Sequence, residues 1–260
     1  MLTAYDYPLA ALLDEAGIDI VLVGDSLANV VLGLASTRAV GMEDMIHHAK
    51  AVNRAVKKSI VVADMPYEAY QPNPSMAVKN AKRFIEEVGA AAVKLEWFDR
   101  CREVTEDIVK AGIPVMGHIG LTPQTADQLG GLKVQGKDAQ SAQKLIEQAR
   151  DLQRRGVFSI VLECIPDKIA QMITQELTIP TIGIGAGPHC DGQVLVTYDL
   201  LGLFNRYHPK FVKQYIDLTP LIVRAVKQYK REVEENKFPG KEHSFSISRE
   251  QIERLKQIEK

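Results

Sequence analysis

The feature that most constrains the fold of this chain is an alternation. Short apolar runs rich in β-branched residues occur at 2–5, 20–24, 60–63, 91–95, 114–117, 159–162, 181–184 and 194–197, with helical patterns between most of them. Most runs are continuously apolar, which suits parallel strands covered on both faces by other structure. Between them lie amphipathic segments. Around 75–88, Val78, Ala81, Ile85 and Val88 fall on one face; in 141–155, Ala142, Leu145, Ile146, Ala149 and Leu152 form the stripe. Gly17, Gly89, Gly112 and Gly156 follow helical segments and fit the left-handed residue that ends a helix. This order predicts an α/β fold, a closed (β/α)8 TIM barrel, with an open doubly wound sheet as the alternative that periodicity leaves open. A length of 260 residues fits one such domain, and no Pro/Gly/Ser-rich linker or fixed-period repeat divides it. The stretch 121–138 has little apolar periodicity and reads as a long functional loop, often a lid. A long helix is expected over 218–235 and another over 248–260, where Ser248 and Gln251 are spaced as a capping box.

Four of the apolar runs stop at an acidic residue: Asp25, Asp64, Glu96 and Glu163. A carboxylate is costly to bury unless it is paired or bound to a metal. Four of them at the carboxyl ends of parallel strands would converge where α/β barrels place their active sites, around something cationic. Taken singly, Asp25 and Asp64 also read as helix N-caps. Lys94 and Glu96 share a strand face and could form a structural ion pair. Glu163 is harder to explain this way, because Glu caps poorly and Pro166 already suits the first turn of the next helix. Together the set favours a hard, oxygen-loving cation such as Mg²⁺ or another divalent ion. His118, at the end of the fifth run, is either a satisfied structural residue or part of that face. His47 and His48 sit within a helical pattern, as surface or packing residues. Gly183, Gly185 and Gly187 lack the spacing of a dinucleotide fingerprint, and close backbone approach at the barrel rim is the preferred reading. Cys164 reads as core.

Charge excludes some partners. Lys+Arg 32 against Asp+Glu 33 leaves a net charge of −1 with no basic block, so nothing recommends nucleic acid or an anionic membrane surface. Cys101, Cys164 and Cys190 are odd in number and widely spaced, which fits reduced thiols and no zinc site. With neither a secretory leader pattern nor a long apolar run, a cytoplasmic protein is expected.

With the strand-end residues in place, the chain closely resembles the ketopantoate hydroxymethyltransferase family. The resemblance rests on Leu-Val-Gly-Asp-Ser at 22–26, Val-Lys-Leu-Glu at 93–96 and Gly-His-Ile-Gly-Leu-Thr-Pro-Gln at 117–124. Further matching segments at 2–7, 63–66, 133–136, 162–166, 182–187 and 238–245 run in order across nearly the whole chain. It implies a barrel of the phosphoenolpyruvate/pyruvate superfamily type, a divalent metal, usually Mg²⁺, and a homo-oligomer, commonly a decamer. The implied reaction moves a hydroxymethyl group from 5,10-methylenetetrahydrofolate to the 2-oxoacid 3-methyl-2-oxobutanoate, giving ketopantoate for pantothenate synthesis. By position in matching motifs, Asp25, Asp64 and Glu96 take the metal-site role. Asp25, Ser26, Asp64, Lys94 and His118 take the substrate-binding role, and Glu163 becomes the proton acceptor. The family pattern usually carries a stretch before the first strand and tends to finish near Phe245. Residues 1–245 are therefore expected to form the barrel domain and 246–260 a C-terminal helical extension. The alternative within enzymes is a folate-independent, metal-dependent C–C lyase or aldolase of the same superfamily, though the Lys-Cys-Gly-His loop of isocitrate lyases is absent. A non-catalytic barrel would need neither a base nor a carboxylate triad.

Overall fold

The computed structural model describes residues 1–204, 206 and 209–258. Eight parallel strands follow one another in chain order, each hydrogen-bonded to the next. They are β1 (Leu2–Thr3), β2 (Ile20–Val23), β3 (Ile60–Asp64), β4 (Ala92–Glu96), β5 (Val115–Gly120), β6 (Ser159–Glu163), β7 (Thr181–Ile184) and β8 (Gly192–Gln193). Leu2 pairs in parallel with Leu195. Beside that bridge, Thr197 N donates to Thr3 Oγ1 at 3.0 Å and Thr197 Oγ1 donates to Thr3 O at 2.6 Å. The last strand region thus meets the first. The open sheet is excluded, and the fold is a (β/α)8 barrel.

Pleating sorts the side chains into two layers, because successive residues of a strand point to opposite faces. Leu22, Val62, Ala92, Met116, Val161 and Ile182, from β2 to β7, and Val194, just past β8, pack together inside the barrel. Their neighbours Val21, Val61, Val93, Val115 and Ile160 point outward into the larger core under the helices. There they meet helices whose apolar stripes were legible. Ala139–Arg154 buries Ala142, Leu145, Ile146, Ala149 and Leu152, the predicted set. The segment over 75–88 differs: an α-helix at Pro74–Arg83 passes into a π-turn at Phe84–Val88. The buried face is Ala77, Ala81, Phe84 and Val88, at i, i+4, i+7 and i+11, with Val78 and Ile85 one position on and only half-buried. Gly17, Gly89, Gly112 and Gly156 all have positive φ where helices end.

Strand limits moved in ways that matter for the site. β3, β4 and β6 include the acidic residue at which each run was expected to stop, and β5 runs on through His118 to Gly120. The predicted strand 194–197 is corrected: the ladder lies at Gly192–Gln193, and Thr197 opens a short helix, Thr197–Leu200. Hydrophobicity there reflects the barrel seam, where the chain leaves β7 and touches β1. The helix Thr219–Glu234 agrees with expectation but buries none of its residues, with Leu221, Val226 and Tyr229 exposed. In the tail helix Arg249–Ile258, Gln251 N donates to Ser248 Oγ at 3.3 Å, the forward half of the expected capping box. Among the described residues no helix is long and apolar enough to cross a membrane.

Candidate active site

The inward face of the pleat leads directly to the polar cluster. Two residues beyond Val62 comes Asp64, two and four beyond Ala92 come Lys94 and Glu96, two beyond Met116 comes His118, and two beyond Val161 comes Glu163. Register then sets them side by side, pairing Asp64 with Lys94 and Glu96 with His118 across adjacent strands. Asp25 is placed differently, by the turn after β2, where its N–H donates to Asp64 Oδ2 at 3.0 Å. All seven residues predicted from the sequence, including Ser26, line one cavity of about 450 Å³. Neither aspartate caps a helix: the N-cap positions after them belong to Ser26 and Pro66.

Lys94 Nζ contacts Asp64 Oδ1 at 2.6 Å, so its ion-pair partner is Asp64 on the neighbouring strand and not Glu96 on its own. His118 Nε2 lies 3.2 Å from Glu163 Oε2, and Nδ1 lies 3.6 Å from Glu96 Oε1. Neither ring nitrogen completes a hydrogen bond of good geometry. Asp25, Asp64, Lys94, Glu96 and His118 are buried, whereas the Glu163 side chain keeps 15% exposure on the cavity side. Glu163 is thus the carboxylate most open to a small molecule.

Electrostatics shows what the cluster lacks. Burial, reinforced by the charge of Asp64, pushes the Asp25 carboxyl up to about 7. Burial and then Asp25 hold Glu96 well above the ordinary carboxylate range. Burial by itself would lower the Lys94 ammonium, but Asp64, Glu96 and Asp25 outweigh it and raise it above an ordinary lysine. Burial, with Lys94 beside it, lowers His118 and favours the neutral ring. Four carboxylates therefore share one permanent cation, and a divalent ion would relieve the excess. The donor set, all carboxylate oxygen, fits a hard ion such as Mg²⁺. Among the described residues no three His, Cys, Asp or Glu side chains stand as a ready-made metal cluster. With Asp64 already turned to Lys94, any such ion would complete its shell with water or substrate oxygens.

Sequence reasoning missed three residues. Gln124 donates through Nε2 to Asp25 Oδ2 at 2.8 Å and through its backbone N to Glu96 Oε2 at 2.9 Å. Tyr70, fully buried, donates its hydroxyl to Gln124 Oε1 at 2.5 Å. The available signal was the position of Gln124 at the end of the 117–124 motif; Tyr70 had none. Tyr5 OH, 2.8 Å from Ser26 Oγ, orients another predicted residue in the same way.

The glycines behave as close-approach positions. A Cβ at Gly120 (φ 96°) would sit against the Glu163 carbonyl oxygen, which accepts a bond from Leu121 N at 2.9 Å. Side chains at Gly185 and Gly187 would meet Phe211 Cδ1 at 2.8 Å and Asp167 Cβ at 2.5 Å, as expected of packing at the rim. Cys164 is buried but is not simply core. It lines the cavity with φ 47°, and burial pushes its thiol up to about 12, away from thiolate chemistry. His47 is exposed and half-buried His48 contacts Tyr5 O at 2.6 Å, so neither joins the site.

Comparison with known proteins places the chain among its relatives. The chain is 57% identical over 255 residues to the 3-methyl-2-oxobutanoate hydroxymethyltransferase of Syntrophomonas wolfei, covering 98% of this chain and 92% of that protein. It is 55% identical, with the same coverage, to the enzyme of that name from Carboxydothermus hydrogenoformans. Among solved structures, 2,3-dimethylmalate lyase, a PEP mutase/isocitrate lyase superfamily member, superposes with a TM-score of 0.60 at 17% identity, covering 99% of this chain and 89% of that one. A phosphonopyruvate hydrolase in complex with oxalate and Mg²⁺ superposes with a TM-score of 0.59 at 12% identity, covering 99% and 92%. At such identities the likeness establishes the shared barrel. Residues 1–241 match the family described as ketopantoate hydroxymethyltransferase, and with the relatives above this shows that the chain belongs to that family of hydroxymethyl-transferring enzymes.

Proposed function

We propose that the chain transfers a hydroxymethyl group from 5,10-methylenetetrahydrofolate to 3-methyl-2-oxobutanoate, with Asp25, Asp64 and Glu96 holding a divalent cation, Mg²⁺, and Glu163 acting as the base. The observation that carries this reading is the contrast within the cluster: three buried carboxylates crowd one ammonium, while a fourth, Glu163, opens on the cavity. When bound, the cation supplies Lewis-acid polarisation of the substrate's keto oxygen. Glu163 removes the proton from C3, and the electron pair moves toward the carbonyl to leave an enolate. His118, 3.2 Å from Glu163 and lining the same cavity, binds the substrate beside the base. Lys94, held charged by Asp64, answers the negative charge of substrate carboxylate and enolate, a preorganised contribution that needs no rearrangement. Ser26, oriented by Tyr5, offers a hydroxyl to the substrate. C3 then attacks the one-carbon unit carried by the folate; water supplies the hydroxyl oxygen and tetrahydrofolate departs. Oxalate and Mg²⁺ in the phosphonopyruvate hydrolase of the same fold support a small oxoacid beside a divalent ion.

The reading also includes a homo-oligomer, supported by the exposed Leu221, Val226 and Tyr229 on the helix Thr219–Glu234. Its domain layout is a barrel over 1–245 with 246–260 as an extension.

The test follows loss of the C3 proton by NMR in D₂O, with Mg²⁺ and without folate. Wild-type protein should exchange the proton, and chelator should stop it. Glu163→Gln keeps the shape and should slow both exchange and product formation by about 10²-fold or more. Exchange at the wild-type rate in that variant would falsify the assignment of the base.

A further inference from the structure

Asp25 follows β2 and Glu96 ends β4, with β3 between them, so no ladder bond fixes their separation. Their like charges favour moving apart. What joins them comes from elsewhere in the chain. Gln124, at the start of the 3₁₀ turn Pro123–Leu129 after β5, reaches Asp25 Oδ2 with its side-chain amide and Glu96 Oε2 with its backbone N–H.

The amide can face only one way. Its two Nε2 hydrogens go to Asp25 Oδ2 at 2.8 Å and Met65 O at 3.1 Å, and its Oε1 accepts the Tyr70 hydroxyl at 2.5 Å. Tyr70 must donate there, because its oxygen accepts Gln71 Nε2 at 3.2 Å and the Glu96 backbone N–H at 3.3 Å. A reversed amide would set acceptor against acceptor at Asp25 and at Met65. Gln124 is 2% exposed, so no water substitutes for these partners without cost. Glutamate at 124 would bring a further carboxylate to Asp25, and asparagine is one methylene too short to span the same gap.

We propose that Gln124 is a positioning residue that braces Asp25 against Glu96 for the divalent cation, with Tyr70 fixing the orientation of its amide. The proposal rests on the cation reading above. It makes the loop after β5 part of the cation site although the loop contributes no ligand.

The experiment is calorimetric titration of Mg²⁺ into the chelator-treated, full-length protein without substrate, with thermal unfolding to confirm that each variant is folded. Gln124→Ala should weaken Mg²⁺ binding by about 10- to 100-fold, as loss of residues that orient metal ligands does. Tyr70→Phe is nearly isosteric, so it keeps the proposal testable should Gln124→Ala not fold; its loss should be roughly three- to ten-fold, one buried hydrogen bond. Because Tyr70 acts through Gln124, the double variant should bind no more weakly than Gln124→Ala alone. A folded Gln124→Ala or Tyr70→Phe with wild-type affinity, or losses that multiply in the double variant, would overturn the brace. A wild-type protein that takes up no Mg²⁺ would overturn the cation reading itself, a distinguishable result.

Discussion

Lys94→Met tests whether one ammonium balances the cluster. The substitution keeps an unbranched stem and removes only the charge, which lies 2.6 Å from Asp64 Oδ1 in a buried setting. At that distance, with an effective dielectric of about 20, the direct attraction is about 6 kcal/mol. Much of it offsets the desolvation of both groups, so the pair itself adds little to net stability. Removing one partner is another matter, because the carboxylates keep their desolvation cost and lose their counter-charge. Such changes cost about 3–5 kcal/mol. In a domain of this size the unfolding midpoint should fall by roughly 6–20 °C. The assay is thermal and urea unfolding at neutral pH, in chelator and in excess Mg²⁺. Because the ion would neutralise the same carboxylates, Mg²⁺ should recover more stability in the variant than it adds to the wild type. Transfer activity should be lost in both conditions. A variant as stable as wild type in chelator would refute the charge argument.

Three further outcomes are expected. Asp14, on the helix Tyr7–Glu15, accepts from the backbone N–H of Ser59, Lys58 and Lys57 and from Ser59 Oγ at 2.8, 2.9, 3.1 and 2.9 Å, and these bonds hold its carboxyl well below the usual range. A depressed folded-state pKa contributes stability that is complete above the unfolded value near 4 and lost as pH falls through the folded value. Asp14→Asn should therefore lower stability at neutral pH and flatten the decline in acid, as read by urea titrations across that range. Gly120→Ala would force a Cβ against the Glu163 carbonyl at φ 96°; a loss of about 1–3 kcal/mol, with displaced Glu163 and reduced proton exchange, is expected. Light scattering should give a mass well above 28.8 kDa, and charged substitutions at Leu221 and Val226 should lower it; a fully active monomer would contradict the homo-oligomer.

What was legible in the sequence was whatever one strand dictates alone. A run such as Ile-Val-Val-Ala before Asp64 announces both a buried strand and a polar group at its end, and parity from Ala92 to Lys94 and Glu96 fixes a common face. Contacts between strands were less accessible. That Lys94 pairs with Asp64 and not Glu96 depends on the β3–β4 register, and register leaves no mark within either segment. The brace at Gln124 depends on tertiary closure of a stretch that local pattern could describe only as a loop. β8 was misplaced because its ladder residues, Gly192 and Gln193, are not apolar, whereas Val194 beyond them fills the barrel interior and Leu195 bridges Leu2 at the seam.

Strand order in this barrel follows chain order, and that bears on how little conformational freedom must be surrendered to gather the site. Asp64 meets Lys94, and Glu96 meets His118, across a single βα unit; His118 meets Glu163 across the next. Each juncture closes a loop only one unit long, and closure entropy grows slowly with loop length. The seam between the chain's two ends, by contrast, spans almost the whole sequence, and its Thr3–Thr197 bonds fix none of the four carboxylates. The closure of the chain's two ends is thus left to backbone pairing of Leu2 with Leu195 and to the Thr3 and Thr197 hydroxyls, while Asp64, Lys94, Glu96, His118 and Glu163 are gathered by neighbouring strands.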